Sequence, residues 1–371
     1  MSKKIHIVSF SIPYPANYGG VIDVFFKLKS LYEAGVKVFL HCFQYDREPA
    51  KELEQYCEKV FYYPRKMKGV HLLGFYPYIV STRKSEALIT NLLMDEAPIL
   101  FEGLHTCYSI GDIRIKDRRK IVRAHNIEHD YYAALGKVEK RFIKRLYFKS
   151  ESKKLKRFEA IAFKSANLVL GISNKDTKYL NREYDNAKTI TAFHEFNKVN
   201  IPNKTRDYAL YHGNLSVGEN NEAALFLADK VFRGINYKLV IAGNGPSVKL
   251  KSLVQELDNV DLKEELTTSE INNLIHLAHI NILPTFQSTG IKLKLLAALF
   301  NGGYCLVNNE MVLGTGVENF VELATTSTEF QNKIHELSQK SISLEENKRR
   351  EAALVQFSNE MNLKKLLEYI F

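Results

Sequence analysis

The sequence has few cysteines, no long apolar run and none of several short motifs that mark common chemistries. Its four cysteines (42, 57, 107 and 305) are scattered, with no C-x-x-C spacing. That excludes a disulfide frame and a cysteine-built zinc site, and it points to reduced thiols in the cytosol. The opening stretch MSKKIHIVSFSIPYP holds only a short apolar run cut by Pro13, and later apolar runs are also strand-length. Neither a signal-peptide core nor a membrane-spanning helix fits such runs, so a cytoplasmic chain is expected. No G-x-G-x-x-G follows the first strand, which leaves a dinucleotide fingerprint unsupported. A pI near 9.1 permits nucleic acid, but no RNA- or DNA-binding motif accompanies it, and no nucleic-acid partner is expected.

What is present suits two domains. The chain has 371 residues, 45% of them hydrophobic and 25% charged, a length and balance typical of a soluble pair of units. The net charge of +10 is concentrated: residues 137–157 hold ten Lys/Arg against Glu139 and Glu151. Phe142, Ile143, Leu146, Tyr147, Leu155 and Phe158 interleave with these cations at helical spacing. Such a helix either lies on an anionic membrane or packs its stripe on a core and leaves the basic face solvated.

Along the chain, short apolar runs at 5–10, 37–43, 60–64, 99–105, 120–126 and 166–173 alternate with helical patterns such as 21–35 and 84–96. This alternation specifies an α/β fold with a doubly wound parallel sheet. Gly19 and Gly20 sit where the first loop meets its helix, and they permit either close approach of a ligand or a tight turn. Glu102 and His105 follow one strand; His125, Asn126 and Glu128 follow the next. Ligands in such sheets bind outside the carboxyl ends of the strands. Residues 193–206 are polar, contain Pro202 and read as a linker. The pattern then restarts with runs at 208–213, 237–243, 259–264, 280–284 and 304–309, and Thr268 or Ser269 offers a helix cap. The expected domains are 1–195 and 207–344, each Rossmann-like and facing a cleft, followed by a helical tail over 345–371.

The stretch 284–303, PTFQSTGIKLKLLAALFNGG, runs from a strand end through a polar turn into a helix stopped by Gly302-Gly303. Its first turn is read as holding Gly290, Lys292 and Lys294. Lysines there oppose the helix dipole, which favours acids. They make sense if an anion binds at that helix end; otherwise they are two solvated lysines.

Taken in order, PYPANYGG, RAHNIEHDYY, YHGNLSVGENN, LVIAGNGP and STGIKLKLLAAL resemble motifs of the retaining glycosyltransferases of the two-Rossmann (GT-B) fold. The resemblance spans nearly the whole chain. It is strongest to the group holding bacterial mannosyl-, glucosyl- and N-acetylglucosaminyl-transferases of envelope glycans. It implies a nucleotide-sugar donor (a UDP- or GDP-sugar) held by Gly213, Asn214 and Gly243 on one side and Ser288, Thr289, Gly290, Ile291 and Lys292 on the other. Gly19 and Gly20 would close on the donor from the first domain. His105, His125 and Lys292 take the catalytic roles, and Glu102, Asn126 and Glu128 lie on the acceptor side. Many relatives carry two glutamates seven residues apart across the turn and helix; here those positions are Thr289 and Ala297. An Arg and a Lys that often follow the second domain's first strand are also missing.

Glycosyl transfer needs a stabilised leaving diphosphate, which backbone N–H groups, a helix N-terminus and a lysine supply without metal. No D-x-D is present, so metal independence and no resident cofactor are expected. The function that follows is hexosyl transfer with retention to a glycan or lipid-linked acceptor in cell-envelope polysaccharide synthesis. Residues 137–158 would contact the inner face of the membrane. A non-catalytic relative that binds a sugar nucleotide or glycan, and a nucleotide-sugar epimerase, remain as alternatives.

Overall fold

Apolar runs alternating with amphipathic ones build two parallel sheets in a computed structural model that describes residues 3–72, 74–202, 205–286, 293–342 and 344–371. The chain divides into one unit of residues 1–195 with 359–371 and another of 196–358. The first contains β1 (Lys4–Ser9), α1 (Gly19–Glu33), β2 (Lys37–Gln44), β3 (Lys59–Pro64), α2 (Tyr78–Ser81), α3 (Glu86–Leu92) and β4 (Ile99–Glu102). It continues with β5 (Lys120–Ala124), α4 (Glu128–Val138), α5 (Phe142–Lys164), β6 (Leu168–Gly171), α6 (Asn174–Tyr184) and β7 (Ala187–Thr189). The strand order is β3-β2-β1-β4-β5-β6-β7, with every pairing parallel.

Val24, Leu28 and Leu31 recur at helical spacing on α1 and bury against Ile5, Ile7 and Val38 on one face of the sheet. The other face is covered by residues that include Leu88 and Leu92 of α3 and Leu155, Phe158 and Ala162 of α5. With both faces covered, β1, β4 and β5 are buried almost end to end, as a parallel sheet requires. One polar chain crosses this interior. Asp95 binds His6 (2.9 Å), His6 binds His41 (2.9 Å), and Tyr63 binds both His41 and Asn91 (2.8 Å each). Burial keeps both imidazoles below their ordinary pKa, and the shared hydrogen bonds satisfy them.

The second unit contains β8 (Arg206–His212), α7 (Gly218–Phe226), β9 (Lys238–Ala242), α8 (Val248–Gln255), β10 (Val260–Lys263), α9 (Thr268–Leu277) and β11 (Ala278–Ile282). After it come α10 (Leu293–Asn301), β12 (Tyr304–Val307), α11 (Asn309–Val312), β13 (Glu322–Leu323), α12 (Ser327–Ser338) and α13 (Leu344–Leu354). Its order is β10-β9-β8-β11-β12-β13. In both sheets the winding reverses direction next to the first strand, between β1 and β4 and between β8 and β11. Such reversal points open a crevice at the strand carboxyl ends.

Several ends differ from the sequence expectation for identifiable reasons. The cap of α9 is Thr267 rather than Thr268 or Ser269, because Thr267 puts Glu270 three residues on and closes a reciprocal capping box. Helix α8 also has a side-chain cap: the Ser247 hydroxyl accepts the Leu250 N–H (3.2 Å), and the helix starts at Val248. Residues 345–371, read together as a tail, fall into both units. The last helix, α14 (Asn359–Ile370), buries Leu366 and Ile370 in the cluster that holds α1. Among the described residues no helix is long and apolar enough to cross a membrane.

Candidate functional site

At the β1/β4 reversal the first unit gathers a buried, charge-balanced network. Asp23 and Lys27 lie one turn apart on α1, Glu102 ends β4, Arg123 sits in β5 and His125 follows it. The Lys27 ammonium is 2.6 Å from Glu102 and 3.3 Å from Asp23. Arg123 Nε donates to Asp23 Oδ2 at 3.0 Å, and the Phe193 backbone N–H donates to Asp23 Oδ1 at 2.7 Å. His125 Nε2 is 3.0 Å from Glu102 Oε2, and its Nδ1 is 3.7 Å from Asp23. Burial pushes the Asp23 carboxyl up, but Arg123, Lys27 and His125 outweigh it and hold it well below its ordinary value. Burial acts likewise on Glu102, and Lys27 and His125 overcome it, so its pKa is also lowered. Ligand atoms of Asp23, Glu102 and His125 lie within 4.8 Å of one another, a spacing that suits a cation. The Lys27 ammonium already bonds both of those carboxylates.

His105 and His125 flank the ring of Phe10, at 5.7 and 5.6 Å between centroids. Gly20 faces the same ring: a Cβ there would fall 2.6 Å from Phe10 Cζ and would push the ring aside. Both His125 nitrogens point at carboxylates, whereas His105 Nδ1 is buried with no hydrogen-bond partner among the described residues. Burial and the Arg83 charge keep the His105 imidazole well below its usual pKa. Arg83 is itself buried and donates to the carbonyls of Phe10 (3.0 and 3.1 Å) and Ile79. The structure thus brings Gly20, His105 and His125 together around Phe10, with Glu102 bonded to His125. Gly19 is exposed at the start of α1, which has no side-chain N-cap.

Glu128 opens α4 and is buried. Burial raises its pKa to about 7, against a hydrogen bond from Asn126. The folded state therefore holds this proton more tightly than the unfolded chain, and the group withdraws stability as pH rises from 4.5 to about 7. Glu128→Gln is expected to raise the melting temperature at alkaline pH and to leave it unchanged in acid. Equal melting offsets at both ends of the range would show that Glu128 does not titrate there.

At the β8/β11 reversal the second unit builds a different surface. Gly213 and Asn214 follow β8, and the Asn214 side chain accepts from the Ser216 N–H (3.1 Å) and hydroxyl (2.6 Å), closing a turn. Gly243 presses against this turn from the end of β9: a Cβ there would lie 1.8 Å from the Gly213 carbonyl oxygen. Asn220 ties the turn to the next helices. Its Nδ2 donates to Asn214 O (2.9 Å), and its Oδ1 accepts from Lys294 Nζ (3.2 Å) in the first turn of α10. Lys294 also lies 5.1 Å above the Tyr211 ring. Burial, and then the Lys294 charge, lower the His212 pKa to about 3. Past β11, Thr285 bonds Glu219 through its hydroxyl and exchanges backbone hydrogen bonds with the Asn308 side chain (3.0 and 2.6 Å). Ser288, Thr289, Gly290, Ile291 and Lys292 lie outside the described residues. Ala297 is buried among Tyr208, Leu210 and Val240.

Sequence reasoning missed Asp23, Lys27, Arg123 and Phe10. The signals were an Asp–Lys pair four residues apart on the α1 stripe and an arginine inside the apolar run KIVRA.

No protein-family model matches the chain. An uncharacterized 44.6 kDa protein in the cps region of Klebsiella pneumoniae is 26% identical over 346 residues, covering 88% of each chain. A variant of S. aureus TarM, solved with fondaparinux, alpha-GlcNAc-glycerol and UDP, superposes with a TM-score of 0.70 at 11% identity, over 99% of each chain. HepE from Anabaena, solved with UDP and glucose, gives 0.65 at 13% identity, again over 99% of each chain.

Proposed function

Because the chain has the GT-B fold, we propose that it is a retaining glycosyltransferase that moves a hexose from a UDP-sugar to a glycan or lipid-linked acceptor in capsule or envelope polysaccharide synthesis. The observation that carries this reading is the coupling at the β8/β11 reversal. Asn220 joins the Gly213–Asn214 turn to Lys294 at the start of α10, and so places a cation and a glycine turn at one strand edge. UDP in the TarM and HepE structures and the cps-region relative support the donor and the pathway class.

In the proposed reaction the donor diphosphate lies against Gly213, Asn214 and Lys292, with Lys294 holding Asn220 in place. Charge developing on the leaving phosphate is met by preorganised donors. The leaving phosphate oxygen takes the acceptor proton on the same face of the sugar, so no protein nucleophile is required. His105, with its unpartnered nitrogen, lines the sugar and acceptor side; His125, bonded to Glu102, positions that edge. Ala297 is buried, so the ribose is held by groups other than a carboxylate at this position. The basic segment 137–158 brings the protein to the anionic inner face of the membrane. Release of nucleoside diphosphate from a panel of nucleotide sugars tests the reading.

A further inference from the structure

We propose that the tip of the α4–α5 hairpin and the neighbouring residues 66–72 and 74–76 form one surface that inserts apolar side chains into an anionic lipid bilayer. This deepens the membrane role proposed above for 137–158 and rests on it. The basic helix has two halves of different character. Toward its C-terminus, Leu155, Phe158, Ala162 and Phe163 are core residues. Around the hairpin turn, Val138, Phe142, Ile143 and Leu146 are 63%, 62%, 81% and 50% exposed. The hairpin behind them is packed, with Tyr132 and Phe148 edge to face at 5.9 Å.

Residues 66–72 and 74–76 repeat the pattern. Met67, Val70, Leu72 and Phe75 are all exposed, Phe75 by 71%, and Lys66 and Lys68 stand beside them. Three contacts tie this segment and the start of α2 to α5. Lys154 Nζ donates to the Leu72 carbonyl (2.7 Å), Glu151 accepts the Tyr78 N–H (2.6 Å), and the Tyr76 and Phe158 rings meet at 5.2 Å. Large apolar side chains exposed singly are ordinary, but eight on two segments that are tied together along α5 call for a cover. The charge names the cover. Of the two acids in 137–157, Glu151 is buried and paired with Lys154, and Glu139 accepts the Arg141 N–H. Apart from Lys154, the cations of 137–157 have no carboxylate side chain in ion-pair contact among the described residues, and an anionic bilayer offers both negative headgroups and an apolar interior.

The chain has no tryptophan, so Phe142→Trp and Phe75→Trp each create a single fluorescent reporter. Tyr32→Trp, at an exposed site on α1, is the control. The probe is vesicles of phosphatidylcholine with phosphatidylglycerol, against phosphatidylcholine alone. With anionic vesicles, both patch reporters should shift to the blue and be quenched by brominated acyl chains, while Tyr32→Trp does neither. Val70→Asp with Phe75→Asp should lower vesicle partitioning by roughly tenfold or more. Quenching at Phe142→Trp alone would overturn the two-part surface and leave the α5 reading standing. Sedimentation with vesicles but no quenching at either site would overturn insertion in favour of adsorption by charge. No association with anionic vesicles at all would refute the membrane role itself.

Discussion

Asp23→Ala should destabilise the first unit by about 3–5 kcal/mol, the range for breaking a buried ion pair by removing one partner. Asp23 is fully buried and is the only described carboxylate that bonds Arg123. In the folded protein two cations, Lys27 and Arg123, face two carboxylates, Asp23 and Glu102. The substitution leaves one uncompensated positive charge away from water. It also strips the Phe193 N–H of its acceptor, which burial makes costly in its own right. Arg123 keeps carbonyl partners at Thr191, Gly171 and Ile190, but these do not neutralise it. Against a domain stability of about 5–15 kcal/mol, the loss is a large fraction. Denaturant titration monitored by far-UV circular dichroism reads it as a lower midpoint. Asp23→Asn, which keeps an oxygen for Phe193, should fall between. A change below about 1 kcal/mol would mean that water reaches Arg123 and Lys27 and that the network is not the buried frame described.

Lys292→Ala should weaken donor binding by about ten- to a hundredfold, the equivalent of a charge-assisted hydrogen bond of roughly 1.5–3 kcal/mol. The residues on either side of 287–292 are anchored: Thr285 to Asn308 and Glu219, and Lys294 to Asn220. The second anchor leads through Asn220 to the turn that carries Gly213 and Asn214. Lys294 is already engaged with Asn220 and the Tyr211 ring, so it acts by holding the turn, and Lys294→Ala should cost less affinity. On the sequence reading, a lysine at 292 would head the helix and oppose its dipole unless an anion is bound, so Lys292→Ala should leave the unliganded protein as stable or slightly more so. Calorimetric titration of the two variants with UDP separates these roles. Unchanged affinity for Lys292→Ala would remove this lysine from the donor site.

Much of the fold was legible because parallel strands buried on both faces leave near-continuous apolar runs. The interior strands β1, β5, β8 and β9 fall within a few residues of those runs. The edge strands β7 and β13, only three and two residues long, leave too little pattern to read. The segment 193–206 reads as a linker on composition. Yet Phe193 and His194 are buried in the first unit, held by Asp23 and Asn359 from distant parts of the chain. Distance along the chain also hid the buried network: Asp23 and Arg123 are a hundred residues apart, and neither alone announces the other. His105 and His125 were legible as strand-end polar residues. That one is bonded by two carboxylates and the other bears an unpartnered nitrogen depends on packing that periodicity does not encode. The basic stripe, read as a single helix face, is divided by tertiary contacts into a core half and an exposed half.

The most direct test of the account is turnover of nucleotide sugars by the full chain, followed by NMR at the anomeric proton with EDTA present. The account predicts that one UDP-sugar is cleaved slowly by water to UDP and free sugar, and faster with a glycan or lipid-linked acceptor, which then carries the sugar while UDP is released. The new anomeric bond should keep the donor's configuration, and chelation should leave the rate unchanged. Failure to release UDP from any donor, or conversion of the donor to its epimer with the nucleotide still attached, would contradict it.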